Sequence, residues 1–336
     1  MSNVCLSSQE IESLLTKALM NHQVSQANAV SVAKALAQAQ CDGQAGHGVS
    51  RIKSYCLQAA TGKVNGHATP AVTAQTDAAV RIDAASGFAF PAIDLAIDEL
   101  VTRAGKQGVA CATVYRSHHF GVAGWHAERL AMQGLVALIV GNSPAAIAPH
   151  GGAAPLFGTN PIAFAAPRDN DPPLVIDLSL SKVARGKVMV AAKEGQPIPE
   201  GWGLDAQGQP STDPNAVLAG SMLPMGDAKG AALVLMVEVL AAGLAGANFG
   251  FEASSFFEAE GTPPGVGQTV LCFNPNLMSG GEFARRIETL VTAILGQDGT
   301  RLPGSRRLEM RRRADTTGIE LSNTLHMELM DLLNKD

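Results

Sequence analysis

The stretch "GVACATVYRSHHFGVAGWHAERLA", Gly108 to Ala131, runs a short apolar segment straight into two histidines, two glycines and a helical pattern. "GVACATVY" is bounded by glycine and polar residues and suits a strand. "GVAGWHAERLA" reads as a helix opened at Gly121 and Gly124. A strand that feeds a helix in this way can present helix-opening N–H groups to a phosphate. The spacing G-x-G-x-x-G is nevertheless absent here and elsewhere in the chain, so the standard dinucleotide fingerprint is missing. A capped helix with polar histidines at its start stands beside that reading. A metal held by His118, His119 and His126 is the weaker option, because no carboxylate or cysteine stands at a ligand spacing.

Outward from this unit the texture is similar. "AVRIDA", "GLVALIVGN", "PIAFAAP" and "PLVIDLS" read as strands, and "PAIDLAIDELVTRAGKQG" as a helix, so residues 71–280 form a mixed α/β region. Pro/Gly segments near 194–216 and 258–268 interrupt it as long loops, of a kind that often serve as lids or crossovers. The first seventy residues are mainly helical. Ser7 and Glu10 have capping-box spacing before Ile11, Leu14, Leu15, Ala18 and Leu19, and a second helix covers about 25–40. The tail from about 281 returns to helices, with six arginines crowded between Arg301 and Arg313, a pattern more often a solvated helix face than an anion site.

Composition limits the function. The 336 residues are 46% hydrophobic and 16% charged, which describes a folded globular protein. A net charge of −5 disfavours a nucleic-acid partner. Five scattered cysteines without a C-x-x-C pair read as reduced thiols of a cytoplasmic protein, and no secretory signal pattern is evident at the start. The apolar run Ala231–Ala247 carries Glu238 near its middle and reads as a buried helix, not a membrane span. P-loop, H-E-x-x-H and G-x-S-x-G motifs are absent.

Three further stretches carry possible chemistry. In "AGHGVSR", Ala45 to Arg51, glycines flank His47 and leave room for a ligand. If the segment continues as a helix, His47 and Arg51 share a face one turn apart. That pair suits a small 2-oxo acid, with arginine gripping the carboxylate and imidazole exchanging a proton with the adjacent oxygen. A helix junction turned by its glycines is the plainer alternative. In "LFGTNPIAFAAP", Thr159 and Asn160 either orient a substrate or form a structural turn. "VIDLSLSKVARGKV" places Asp177 and Ser179 at a strand end, with Lys182, Arg185 and Lys187 beyond.

Taken together, "GHGVSR", "SHHFG", "PHGG", "FGTNPIAFAAP", "IDLS", "ARGKV", "PIPEGWGLD", "LPMGDAKGAAL" and "LPGSRR" resemble, in order, the type-2 malate/L-lactate dehydrogenase family. That family includes sulfolactate and ureidoglycolate dehydrogenases and the reductases of Δ1-pyrroline- and Δ1-piperideine-2-carboxylate. The resemblance implies a non-Rossmann, largely antiparallel cofactor-binding fold (71–280), a helical domain from both chain ends (1–70 with 281–336) and a homodimer. It implies His47 as proton donor/acceptor, with Arg51 and Thr159 on the substrate. It places NADP, preferred, or NAD along His119, Phe120, Gly121, Val122 and Ala123, along Asp177, Leu178 and Ser179, and at Lys229, Gly230, Gly304, Arg306 and Arg307. The last two would follow a Pro303–Gly304 turn and reach outward to a 2′-phosphate, and no metal is expected.

Two positions depart from relatives. Many carry a serine, part of a proton relay, where this chain has Gly46, and cyclic-imine reductases carry "HGD" where it has Arg185, Gly186 and Lys187. Both tilt the substrate toward a 2-hydroxy/2-oxo acid, with a cyclic 2-imino acid as runner-up. A catalytically dead binding protein on the same scaffold is a further alternative, opposed by retention of His47 and Arg51.

Overall fold

The computed structural model describes residues 3–334. A short strand β1 (Val4–Leu6) leads into helices α1 (Ser8–Met20) and α2 (Gln26–Cys41), and α3 (Ile52–Ala60) follows two short turns. At α1 the Glu10 N–H donates to Ser7 Oγ at 3.2 Å, and the Ser7 N–H donates back to the Glu10 carboxylate at 2.8 Å. This reciprocal cap fixes the helix start. Ile11, Leu15, Ala18 and Leu19 then bury one face of α1 against Ala29, Val32, Ala33 and Leu36 of α2. Residues from the far end of the chain, Ile319, Leu321 and Leu329, enter the same apolar core. They arrive because β1 pairs antiparallel with Ile319–Leu321, with Val4 opposite Leu321.

The middle of the chain supplies β2 (Ala71–Gln75), β3 (Ala79–Asp83), α4 (Ala89–Gln107), β4 (Val109–Ser117), α5 (Ala123–Ala131), β5 (Val136–Gly141), β6 (Ile162–Ala166) and β7 (Leu174–Leu178). Next come α6 (Arg185–Glu194), the short β8 (Gly203–Leu204), α7 (Pro214–Ala219), β9 (Ser221–Met222), α8 (Asp227–Glu238), and β10 (Val266–Phe273). The remaining elements are α9 (Pro275–Ser279), α10 (Phe283–Leu295), α11 (Ser305–Thr317), β11 (Ile319–Leu321) and α12 (Asn323–Leu333). Seven strands form one sheet in the order β2-β3-β4-β10-β5-β6-β7, and every pairing but β3 with β4 is antiparallel. The architecture is mixed α/β with a largely antiparallel sheet. α4 and α5 cover one face, and a second apolar core containing Val140, Val234, Val237 and Ala241 covers the other.

Two expectations need correction. The loop predicted to run to 268 ends at Val266, where β10, the middle strand of the sheet, begins. Its first residues carry no strand signal for physical reasons. A Cβ at Gly267 would lie 2.0 Å from the Ala241 carbonyl oxygen, so only glycine fits. Gln268 is buried and donates its amide to the His118 carbonyl at 3.1 Å. The run Ala231–Ala247, in turn, is buried on one side only. Val234, Val237, Ala241, Ala242 and Ala245 are fully enclosed, while Leu233, Leu235, Met236, Val239 and Leu244 are exposed. Glu238 lies on the inner side, and among the described residues no helix is long and apolar enough to cross a membrane.

Candidate active site

His47 and Arg51 do not share one helix. Residues 45–47 and 49–51 form separate 3₁₀ turns broken at Gly48, whose ψ of −138° is far from helical. The two glycines serve different ends. A Cβ on Gly48 would sit 2.4 Å from Gln40 Oε1, the atom that accepts the Val49 N–H. A Cβ on Gly46 would meet nothing within 4 Å, so only this glycine faces open space. Arg51 Nε donates to the Gly46 carbonyl at 2.7 Å, and its guanidinium lies 4.6 Å from the centroid of the Phe257 ring. Desolvation lowers the Arg51 pKa, and no carboxylate opposes it. The result is an arginine held in place with no carboxylate counter-ion among the described residues.

The segment carrying Phe257 is fixed from α3 and the residues after it. Gln58 Nε2 donates to the Phe256 and Glu258 carbonyls, and Lys63 Nζ to those of Ser255 and Glu258. Phe256 thereby lies over His119, with ring centroids 5.3 Å apart. His119 follows the end of β4. Its ring lies edge to edge with that of His47, with centroids 5.1 Å apart and planes 11° apart, and His119 Nε2 is 3.2 Å from His47 Nδ1. Burial first, and then the Arg51 charge, pulls His47 down to about 4. The same two causes, in that order, hold His119 well below its usual value. Both imidazoles are therefore neutral at pH 7.

The other wall is the opening of α5 against the end of β7. A Cβ on Gly124 would lie 2.8 Å from that of Asp177, and the Gly124 N–H donates to Asp177 Oδ2 at 2.9 Å. A carboxylate thus occupies part of the helix end considered above for a phosphate. Burial raises the Asp177 pKa, while the Gly124 bond and Arg307 oppose the shift. Across the cavity the Thr159 N–H donates to Ser143 Oγ at 3.1 Å. Asn160, at φ 39°, donates to Glu238 at 2.6 Å, and Glu238 also accepts from Asn142 Nδ2 and the Gly250 N–H. This buried carboxylate holds the Thr159 turn and the 142–143 segment together.

A cavity of about 210 Å³ results, lined by His47, Thr159, His119 to Ala123, Asp177 and Ser179. Residues scattered over more than 130 positions of sequence converge there. Arg51 is not among the lining residues, though its Nε is held on the carbonyl of Gly46, next to His47, and Leu178 is exposed, as alternation along β7 requires. Lys229 is exposed in the first turn of α8, outside the cavity wall, and Gly230 is buried because a Cβ would strike the Met225 carbonyl. Gly304 opens α11 at φ 82°, its Cβ position 3.4 Å from the Val175 carbonyl. Arg306 and Arg307 lie in α11 and diverge: Arg306 is exposed, while Arg307 is buried 3.1 Å from Glu128. Arg311 joins that network, bridging Asp42 at 2.8 Å and Glu128 at 2.9 Å. The arginine run is therefore neither wholly solvated nor wholly free for an anion, because successive helical side chains point about 100° apart.

Sequence reasoning passed over Tyr55, Ser143, Glu238 as an anchor, and the Phe256–Phe257 pair. Tyr55 had a readable signal, since it lies four residues beyond Arg51 at the start of a helix. The others depend on long-range contacts.

A profile of the malate/L-lactate dehydrogenase family matches residues 6–330. The chain belongs to the malate/L-lactate dehydrogenase family. It is 53% identical over 307 residues to a (2R)-3-sulfolactate dehydrogenase (NADP(+)) of Chromohalobacter salexigens, covering 91% of this chain and 92% of the relative. It is 43% identical to a Δ1-pyrroline-2-carboxylate/Δ1-piperideine-2-carboxylate reductase of Pseudomonas putida, covering 96% and 95%. Among solved structures, a Δ1-piperideine-2-carboxylate reductase from Pseudomonas syringae pv. tomato superposes with a TM-score of 0.93 at 42% identity, covering 98% of this chain and 99% of that one. A sulfolactate dehydrogenase from Methanocaldococcus jannaschii gives 0.90 at 27% identity, covering 98% and 97%. The chain is an oxidoreductase of this dehydrogenase and reductase family.

Proposed function

We propose that the protein interconverts a small 2-oxo acid and its 2-hydroxy acid with NADP(H), and that His47 is the proton donor/acceptor. The observation that carries this reading is the desolvated Arg51, with no counter-ion among the described residues and both Nη groups unbonded, beside a neutral His47. The cavity lined by His119 to Ala123 at the opening of α5, with Asp177 and Ser179 at the end of β7, is where a nicotinamide would lie. A nicotinamide held there would supply or accept the hydride.

The chain's own residues do the rest. Among the described residues the only hydrogen bond from the Arg51 guanidinium is that of Nε, which leaves both Nη groups for a bidentate carboxylate. A bound carboxylate offsets the Arg51 charge, one of the two causes that depress His47, so substrate binding itself makes His47 more basic. His47 Nδ1 is taken by His119, so Nε2 exchanges the proton with substrate oxygen. Phe256 and Phe257 limit water on that side, and Thr159 faces the substrate from the wall opposite.

Arg185 favours a substrate with a second anionic group. Its only hydrogen bond among the described residues is from Nη1 to the Ala145 carbonyl at 3.4 Å, and its buried Nε has no partner. Ala145 lies two residues beyond Ser143 on the cavity wall. The relative that is 53% identical is named for 3-sulfolactate, which carries a carboxylate and a sulfonate. The second reading, a cyclic 2-imino acid, is favoured by the relatives at 42–43% identity. NADPH is the preferred cofactor in this proposal, with Arg306 as the outward cation for its 2′-phosphate.

We also read the core shared by both chain ends as a helical domain of a cytoplasmic enzyme. A homodimer would cover the exposed apolar side of α8. The test is reduced-nicotinamide absorbance with sulfopyruvate, oxaloacetate, pyruvate and Δ1-pyrroline-2-carboxylate, each with both cofactors. A 2-oxo acid with NADPH should give the highest kcat/KM. Turnover of the cyclic imine alone would select the second reading, and turnover of none would overturn both.

A further inference from the structure

His47 has one ring nitrogen to offer a substrate, and a buried chain of hydrogen bonds decides whether that nitrogen carries a proton. His47 Nδ1 is 3.2 Å from His119 Nε2, and His119 Nδ1 is 2.5 Å from Tyr55 Oη. Tyr55 is fully buried, with Phe88, Phe90 and His118 packed around its ring. Among the described residues His119 is the only hydrogen-bond partner of its hydroxyl. A phenol has one proton to give. Unless it goes to His119 Nδ1, a buried donor is left without an acceptor, which is costly in an apolar site.

The polarity of the whole chain follows from that constraint. Tyr55 O–H donates to His119 Nδ1, so His119 carries its proton on Nε2. His119 Nε2–H donates to His47 Nδ1, so His47 also carries its proton on Nε2. We propose that Tyr55 is a positioning residue which, through His119, holds His47 in the Nε2–H tautomer and so biases the site toward binding a carbonyl acceptor, the 2-oxo acid. The charge states agree with this. Burial holds the phenol well above its usual range in spite of Arg51, which keeps it protonated. Burial together with the positive charges of Arg51 and Lys63 keeps His47, His118 and His119 neutral.

The bias has a thermodynamic consequence. A 2-oxo acid accepts a hydrogen bond from His47 Nε2–H with the chain as it stands. A 2-hydroxy acid that donates its hydroxyl proton to His47 Nε2 needs the reverse arrangement. His47 Nδ1–H would then donate to His119, His119 Nδ1–H would donate to Tyr55, and the Tyr55 proton would be left without an acceptor. Gly46 offers no side chain that could set the tautomer instead.

The inference rests on His47 being the acid–base group, so its test includes a readout that needs no turnover. In the wild-type protein labelled with ¹⁵N-histidine at pH 7.5, the His47 ring should show its proton on Nε2. In Tyr55→Phe, which keeps the ring packing and removes the hydroxyl, it should show a mixture. Binding should follow. The dissociation constant of the 2-oxo acid on the enzyme–NADP⁺ complex should rise by the inverse of the remaining Nε2–H fraction, about twofold for an even mixture. That of the 2-hydroxy acid on the enzyme–NADPH complex should stay level or fall. A wild-type His47 protonated on Nδ1, or a Tyr55→Phe variant that weakens both ligands equally, overturns the proposal. An Nε2–H His47 in an enzyme that turns over no 2-oxo acid would leave the tautomer assignment standing and refute the functional reading alone.

Discussion

Mild acid should unfold this protein, and the structure sets how steeply. His118, His119 and His126 are at most 8% exposed. Burial, the largest cause in each case, pushes His118 to about 3 and His126 to about 4, and holds His119 well below 6.5. In the unfolded chain the same rings titrate near 6.5. A group whose folded pKa is depressed contributes no loss above its unfolded value, and destabilises as pH falls from there toward the folded value. Each histidine then binds about one more proton unfolded than folded, worth about 1.4 kcal/mol per pH unit. His47, pulled down to about 4, adds a fourth such group, and the four give a slope of about 5 kcal/mol per pH unit between pH 6 and 5, large against the roughly 5–15 kcal/mol of a typical domain. Asp177, raised by burial, works in the opposite sense and offsets part of one histidine. Asp83 and Glu288 are lowered below 3.8 and 4.5 by their arginine partners, so their losses fall at lower pH. Urea unfolding followed by tryptophan fluorescence at pH 7.5, 6.0, 5.5 and 5.0 measures the slope. His118→Leu isolates one histidine, because neither His118 ring nitrogen has a hydrogen-bond partner among the described residues. The slope should fall by about a quarter in the variant, with little change at pH 7.5. Stability that is flat from pH 6.5 to 5, or a slope that His118→Leu leaves intact, would refute the reasoning.

Two substitutions test the site's cations. Arg51→Lys should lower kcat/KM for the 2-oxo acid by at least about tenfold, because an ammonium cannot make the planar two-point grip. An unchanged value would remove Arg51 from the substrate. Arg306→Ala should lower the ratio of kcat/KM for NADPH over NADH with little effect on stability. Arg307→Ala should instead destabilise the fold by about 1–3 kcal/mol, since the buried Glu128 loses one charged hydrogen bond but keeps Arg311. Equal melting curves for the two variants would contradict this division of roles.

Local signals were legible wherever neighbours in sequence are also neighbours in space. Ser7 and Glu10 announce α1 because a cap closes within three residues. "AVRIDA", "PIAFAAP" and "PLVIDLS" announce β3, β6 and β7 because their apolar residues stand together between turn residues. β10 starts unannounced because Gly267 and Gln268 answer to Ala241 and His118, contacts that no local pattern encodes. The same holds in the site. His47 was conspicuous between its glycines, but the reason for Gly48 is Gln40, and the partner of His47 is His119, 72 residues away. Arg306 and Arg307 look equivalent in sequence. Only the packing of α11 against Asp42 and Glu128 tells them apart.

The central claim is that proton exchange with substrate passes through His47. It is tested most directly in His47→Ala by measuring NADPH affinity from its fluorescence and turnover of the preferred 2-oxo acid in the same preparation. NADPH affinity should stay within about twofold, while kcat falls by about 10²–10⁴, the usual contribution of a general acid–base group. Wild-type turnover in a variant that still binds NADPH would contradict the account.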